Sequence, residues 1–150
     1  MGKKRIIKKS KETVLEEKDT LESKMKKDVK ISVSSKINEG KVYISSSYNN
    51  TMLTLTNMKG DVLTWASAGS IGFKGTKKAT PFAASKVAES ITLATKKMGI
   101  EKVAILAKGI GSGRDSAIRS LASHGLSISS ITDMTSIPHN GCRPPKARRV

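Results

Sequence analysis

The chain has 150 residues and carries 28 Lys and Arg against 12 Asp and Glu, a formal net charge of +16. This length predicts one domain of ordinary size with additional tails, and so large an excess of positive charge favours a polyanionic partner. The single cysteine excludes an internal disulfide and a four-cysteine zinc site, no apolar run approaches the roughly 18 residues of a membrane span, and the charged N-terminal region is unlike a signal peptide.

Residues 1–38 are predicted to form a mixed-charge extension. The first 30 residues hold 11 Lys and Arg, 6 Asp and Glu and no aromatic residue. Such a segment buries too little apolar surface to offset the entropy of ordering it, which favours disorder. The alternative is a transient helix that orders on a partner, because Leu21, Met25 and Val29 recur every four residues.

An antiparallel meander of three strands is predicted next. The β-rich stretches 41–48, 52–56 and 62–66 are separated by Asn49-Asn50 and by a short loop that contains Gly60. Trp65 lies within the third stretch, and we expect its ring in the core. Only 3% of the residues are aromatic, which argues against a sheet that stacks bases on an aromatic platform.

The second half alternates helices and strands. A flexible basic loop over 69–78 leads to Thr80-Pro81, a typical helix start, and Gly99 is the expected stop. The short apolar run 103–107 predicts a central strand buried on both faces. A second helix over 113–124 and a last strand over 126–132 complete residues 39–135 as one α/β domain, a mixed five-stranded sheet with helices packed on it.

The glycine-rich run 108–114, Lys-Gly-Ile-Gly-Ser-Gly-Arg, follows a strand and opens a helix. Three interpretations fit this position: a dinucleotide site with Asp133 on the ribose, a site for polynucleotide phosphates that uses Lys108 and Arg114, or a plain tight turn. The dinucleotide interpretation is weakened because the run lacks the third glycine of the dinucleotide-binding fingerprint. The spacing of a P-loop is also absent from the sequence, so we expect no nucleotide cofactor.

A second basic loop places one aromatic residue among lysines. Lys74, Lys77 and Lys78 can neutralise phosphates, and Phe73 can stack on a base. The alternative is a solvated loop in which Phe73 folds back onto the sheet.

Catalytic and metal-binding patterns are weak. His139 and Cys142 are three residues apart, but no third group orients the imidazole, and they supply only two of the four ligands of a structural zinc. The acids of residues 39–135 are well spaced rather than paired. Neither predicted helix is rich in the Arg, Asn and Gln of a DNA recognition helix. We therefore expect no enzyme, no metal and no cofactor.

Residues 136–150 are predicted to form a basic tail. Three prolines, the first of them Pro138, exclude regular structure, and no acidic residue follows Asp133 to balance its cations, Arg143, Lys146, Arg148 and Arg149. Within the tail, the Asn140-Gly141 pair favours isoaspartate, because an unhindered glycine nitrogen can attack the asparagine amide.

The chain resembles a known family from about Gly40 to its C-terminus. The resemblance rests on five stretches, which begin at Ser47, Gly60, Gly72, Lys108 and Ile131, and the terminal run Pro-His-Asn-Gly-Cys-Arg-Pro-Pro is highly specific. The family is the universal small-subunit ribosomal protein eleven, in its bacterial or organellar form. Ile110 and Ser112 stand where this family commonly has prolines.

The resemblance implies a ribonuclease-H-like three-layer motif without nuclease carboxylates, in a structural protein of the small ribosomal subunit. It implies binding to small-subunit rRNA on the platform, where several RNA helices are bridged, with messenger RNA and the Shine–Dalgarno cleft nearby. Neighbours would be small-subunit proteins seven and eighteen, in a bacterial cytoplasm or a plastid. The expected RNA-binding residues are Phe73, Lys74, Lys77, Lys78, Lys108, Arg114, His139, Asn140, Arg143, Lys146, Arg148 and Arg149.

Overall fold

The computed structural model describes residues 38–143 and 145–147. Almost all of the predicted N-terminal extension, and the tail residues Arg148 and Arg149, lie outside the described residues. The elements in chain order are β1 (Glu39–Ser46), β2 (Thr51–Thr56), β3 (Val62–Ser67), α1 (Ala68–Ile71), a 3₁₀ helix (Gly75–Ala79), α2 (Pro81–Lys97), β4 (Lys102–Lys108), α3 (Gly113–Ser123) and β5 (Ser127–Asp133).

The five strands form one mixed sheet in the order β3-β2-β1-β4-β5. The first three strands pair antiparallel, whereas β4 pairs parallel with β1 and β5 parallel with β4. The predicted α/β fold is therefore confirmed. The first strand ends at Ser46 rather than at residue 48, because the backbone N–H of Ser47 turns to the carbonyl oxygen of Asn50.

The core lies on one face of the sheet. Val42 is paired with both Leu55 and Ile105, and all three are fully buried. Because both crossovers run the same way along the sheet and have the usual right-handed sense, α2 and α3 lie on this same face, in contact with each other. The described part of the chain thus shows two of the three layers that the resemblance implies, one sheet and one helix layer.

The prediction that β4 is buried on both faces is wrong. Val103, Ile105 and Ala107 are buried, but Ala104 and Leu106, which point to the other face, are only half-buried. A continuous apolar run does not reveal this difference, because the coverage of each face depends on which elements pack there.

The helix boundaries follow their predicted signals. Thr80 accepts a hydrogen bond from the Ala83 backbone N–H, Pro81 takes the first helical position, and Gly99 lies beyond the end of α2 with φ +76°. The flexible loop predicted over 69–78 is wrong in part. Residues 69–71 belong to α1, whose N-terminus is capped by reciprocal hydrogen bonds between Ser67 and Ser70, and residues 75–79 form the 3₁₀ helix. None of the helices that the structure describes has the length and apolar character of a membrane span.

Candidate nucleic-acid interface

The topology brings the predicted basic segments to one edge of the sheet. Strands β1, β3, β4 and β5 run in the same direction, so the segments that follow them leave at the same edge. We call this edge the rim. It consists of the basic loop (72–80), the glycine loop (109–112) and the described part of the C-terminal tail (134–143 and 145–147).

Hydrogen bonds join the parts of the rim. The Ser112 hydroxyl donates to the carbonyl oxygen of Ala79 at 2.9 Å, which ties the glycine loop to the basic loop. The Gly109 backbone N–H donates to the Thr135 hydroxyl at 3.2 Å, and the Met134 N–H donates to the carbonyl oxygen of Ala107 at 2.8 Å. The two loops and the root of the tail, Met134 and Thr135, are therefore held in fixed relative positions.

The basic loop presents its cations outward. Lys74 and Lys77 are exposed and Lys78 is half-buried, on or beside the 3₁₀ helix. Phe73 packs against the core cluster and meets Phe82 edge to face, with ring centroids 6.1 Å apart and planes at 85°. The structure thus matches the alternative in which Phe73 folds back. The exposed ring of this pair is Phe82, at 64% exposure, which the sequence did not single out.

The glycines of the 108–114 run serve close packing. A Cβ atom at Gly109 would lie closer than 3.0 Å to the backbone oxygen of Ser46, and one at Gly111 equally close to that of Ser47. The Gly111 N–H donates to the Ser46 carbonyl oxygen at 3.1 Å. Two amides of this loop are thus bonded inside the protein rather than aimed at a phosphate. The tight-turn interpretation accounts for the glycine spacing.

Arg114 and Asp133 form an ion pair that holds the start of the tail. Arg114 Nη2 lies 2.7 Å from Asp133 Oδ2, and its Nη1 donates to the carbonyl oxygen of Gly109 at 3.3 Å. The other carboxylate oxygen of Asp133 accepts from the Thr135 hydroxyl at 2.6 Å and from the Thr135 N–H at 2.9 Å. Asp133, weighed above as a ribose-binding acid, is committed to this network.

The same contacts shift the titration of Asp133. The hydrogen bonds from the Thr135 hydroxyl and N–H, followed by the bond and charge of Arg114, lower the pKa of Asp133 from 3.8 to about 2. The carboxylate is therefore fully ionised at neutral pH, and the ion pair is intact there.

The remaining predicted site residues lie along or beside the rim. Lys108, at the end of β4, is exposed. In the tail, His139, Asn140, Arg143 and Lys146 are exposed, and Asn140 has a positive φ of 54°. Unlike Arg114, which is paired with Asp133, these exposed side chains present positive charge or hydrogen-bonding groups to the solvent.

Two further findings concern possible metal ligands and Trp65. Within the described ranges, no three His, Cys, Asp or Glu side chains are close enough to hold a metal ion. Trp65, predicted to lie in the core, is 58% exposed, so that prediction is wrong. Its neighbour Ala66 faces the helices, and the alternation of a strand turns the indole to the opposite face.

A comparison with known protein families shows which family the chain is part of. The model of the family "Ribosomal protein S11" matches residues 40–149. The chain belongs to this ribosomal protein S11 family.

Relatives from different lineages agree with the assignment. The small ribosomal subunit protein uS11c of Phaeodactylum tricornutum is 57% identical over 111 residues, which cover 74% of this chain and 85% of the relative. The small ribosomal subunit protein uS11c of Trieres chinensis is 52% identical over 128 residues, covering 85% and 95%. The small ribosomal subunit protein uS11 of Borreliella burgdorferi is 48% identical over 130 residues, covering 87% of this chain and all of the relative.

Membership of the S11 family defines the general role. The chain is a structural component of the small ribosomal subunit, associated with its rRNA and proteins in translation, and it is not an enzyme. The relatives are bacterial and plastid proteins, in agreement with the two expected locations.

Proposed function

We propose that this S11-family chain binds small-subunit rRNA through its rim and bridges several RNA segments on the platform of the subunit. The single observation that carries the proposal is the set of hydrogen bonds that join the basic loop, the glycine loop and the tail at one edge. The bonds hold the lysines of the basic loop near Lys108 and give the cationic tail a fixed starting point, so phosphates of different RNA strands can be neutralised at the same time.

Each segment has its own part in this mechanism. Phosphates are neutralised by the cations of the loop, of β4 and of the tail, namely Lys74, Lys77, Lys78, Lys108, Arg143, Lys146, Arg148 and Arg149. His139 and Asn140 supply hydrogen bonds to the RNA, and of the two rings beside the basic loop Phe82, rather than the packed Phe73, is available to a base.

Arg114 acts as a positioning residue. Its charge is paired with Asp133, and its bond to the Gly109 carbonyl fixes the glycine loop beside the root of the tail. Ordering the tail on RNA costs about 1–2 kcal/mol of backbone entropy per residue, so a fixed starting direction lowers the cost of each later contact.

The position of the chain within the small subunit is proposed from the family resemblance. In this position the rim faces the RNA helices near the Shine–Dalgarno cleft and messenger RNA, and small-subunit proteins seven and eighteen are its neighbours. Cross-linking from a photoreactive group at position 77 in reconstituted small subunits tests this placement. Cross-links to rRNA and to these two proteins support it, and cross-links to other parts of the subunit alone contradict it.

The RNA-binding proposal is tested by salt dependence. We expect the full chain to bind an rRNA fragment with a steep log–log salt slope, and a chain that ends at Ile137 to bind with a shallower one, reduced by about 0.9 or less for each lost phosphate contact. Duplex DNA serves as competitor. Equal slopes for the two chains, or equal competition by DNA, would contradict the assignment.

A further inference from the structure

The face of the sheet opposite the helices carries two aromatic rings in one row. The strand registers align Trp65 with Thr54, Thr54 with Tyr43, and Tyr43 with Leu106. Trp65 is 58% exposed, and the other three side chains of this row are half-buried. Among the described residues, no helix covers this row, because α2 and α3 pack on the other face.

The two rings are separated by a small side chain. Trp65 and Tyr43 lie two strands apart, a distance of about 10 Å at the usual strand spacing, and the side chain between them is Thr54. Met52, 41% exposed, points to the same face one step along β2. The row therefore offers two flat aromatic surfaces that are separated by the smaller side chain of Thr54.

Charge on this face is mainly positive. By strand alternation Lys41, Lys102 and Lys108 point to the same side as Tyr43 and Leu106, and Glu39 is the one carboxylate of the five strands that does so. Lys108 also stands at the end of β4, where this face meets the rim. The face is thus continuous with the rim.

The low aromatic content argued against base stacking on the sheet, but the strand registers bring two of the few rings into one row. We propose that Trp65 and Tyr43 form a stacking platform for the bases of single-stranded RNA, and that Lys41 and Lys108 bind its phosphates. This inference rests on the proposed function for the nature of the ligand, but it concerns a separate surface. Stacking on aromatic rings accepts any base, since every base has a π face, and lysines supply the affinity for the backbone. A protein helix would need a continuous apolar patch, which Thr54 and the lysines interrupt.

The chain contains its own probe, because Trp65 is its single tryptophan. The experiment titrates the full chain with a fluorescently labelled single-stranded oligoribonucleotide, and with its duplex form as a comparison. It follows two signals, the anisotropy of the RNA for total binding and the emission of Trp65 for stacking. We expect the single strand to quench Trp65 over the same concentrations at which the anisotropy rises, and the duplex to quench it little.

Substitutions sharpen the assignment. We expect Trp65→Ala and Tyr43→Ala each to weaken single-strand binding by about fivefold or more, because a stacked base contributes about 1–3 kcal/mol, whereas Tyr43→Phe retains the ring and the affinity. Leu93→Ala is the matched control, since Leu93 is an apolar side chain of α2 that is 46% exposed. Circular dichroism checks that each variant is folded.

The outcomes separate the two proposals. Anisotropy that rises without quenching, or a folded Trp65→Ala variant with unchanged affinity, overturns the platform and leaves rim binding in place. Quenching that persists while Lys74→Gln, Lys77→Gln and Lys78→Gln together leave the affinity unchanged supports the platform and counts against the rim. No RNA binding at all, or quenching by polyglutamate but not by RNA, overturns the platform and, in the first case, the proposed function too.

Discussion

The two glycine-bearing loops of the rim look alike in sequence and differ in structure. At Gly75, in the basic loop, a Cβ atom would meet nothing within 4 Å, and the neighbouring Lys74 and Lys77 are exposed. At Gly111, in the glycine loop, a Cβ atom would lie closer than 3.0 Å to backbone of the β1–β2 turn. Gly75 permits a turn beside exposed lysines, whereas Gly111 permits the glycine loop to pack directly against the β1–β2 turn.

This difference shows that a glycine-rich basic run has no single meaning. In the glycine loop the backbone donors are used for packing, and the one arginine beside them is paired with a carboxylate. In the basic loop the lysines remain turned to the solvent. We therefore expect substitutions in the first loop to affect mainly stability, and substitutions in the second to affect mainly RNA binding.

The largest expected effect is on folding. Gly111→Ala forces a Cβ atom against the Ser47 carbonyl oxygen, and we expect it to lower the free energy of unfolding by about 3 kcal/mol. Gly75→Ala is the matched control, with an expected loss of about 1 kcal/mol, because only its φ of +59° is unfavourable for alanine. Urea unfolding followed by circular dichroism measures both. Similar losses in the two variants would show that the loops do not differ in packing.

The next effect is on RNA affinity. We expect Lys74→Gln, Lys77→Gln and Lys78→Gln together to reduce the log–log salt slope of rRNA-fragment binding by up to about 2.7, about 0.9 for each phosphate contact. The unfolding free energy should stay nearly constant, because these side chains are exposed or half-buried.

A second triple variant controls for net charge. Lys59, Lys96 and Lys97 are exposed, on the β2–β3 turn and in the last turn of α2, away from the rim. Their replacement by glutamine removes the same charge, and we expect a clearly smaller change of slope. Equal changes in the two triple variants would indicate that only total charge governs binding.

A smaller effect concerns the root of the tail at low pH. Because the pKa of Asp133 is lowered to about 2 in the folded chain, the stabilisation that its ionised form provides is present above about pH 4 and is lost as the pH falls towards 2. Thr135→Val removes the hydroxyl donor, so we expect the pKa of Asp133 to rise towards 3.8. Nuclear magnetic resonance of the Asp133 carboxyl carbon across pH measures the midpoint. An unchanged midpoint in the variant would assign the shift to the Thr135 backbone N–H and Arg114 instead.

The smallest change is a slow chemical one. Asn140 is exposed, and Gly141 has no side chain to hinder the attack of its nitrogen on the asparagine amide. We expect aged protein to accumulate isoaspartate at position 140. Peptide mapping detects it, with Asn140→Gln as control, and recovery of unmodified asparagine alone would contradict the prediction.

Local signals in the sequence determined the elements and the charge. Thr80-Pro81 and Gly99 set the limits of α2 through capping and a positive φ, which depend on adjacent residues only. Alternation requires Val42 and Ile44 to share one face of β1, and the lysine-rich loop and tail indicated a polyanionic partner. The specific terminal motif identified the family.

Tertiary structure alone decided what the glycines, Arg114 and Trp65 do. Arg114 meets Asp133 across 19 positions of sequence, a contact that exists only because α3 and β5 begin and end at the same rim. Gly111 is required by the approach of a distant turn. The strand period of two decides that Trp65 and Ala66 face opposite sides, but only the packing of α2 and α3 decides which side is buried.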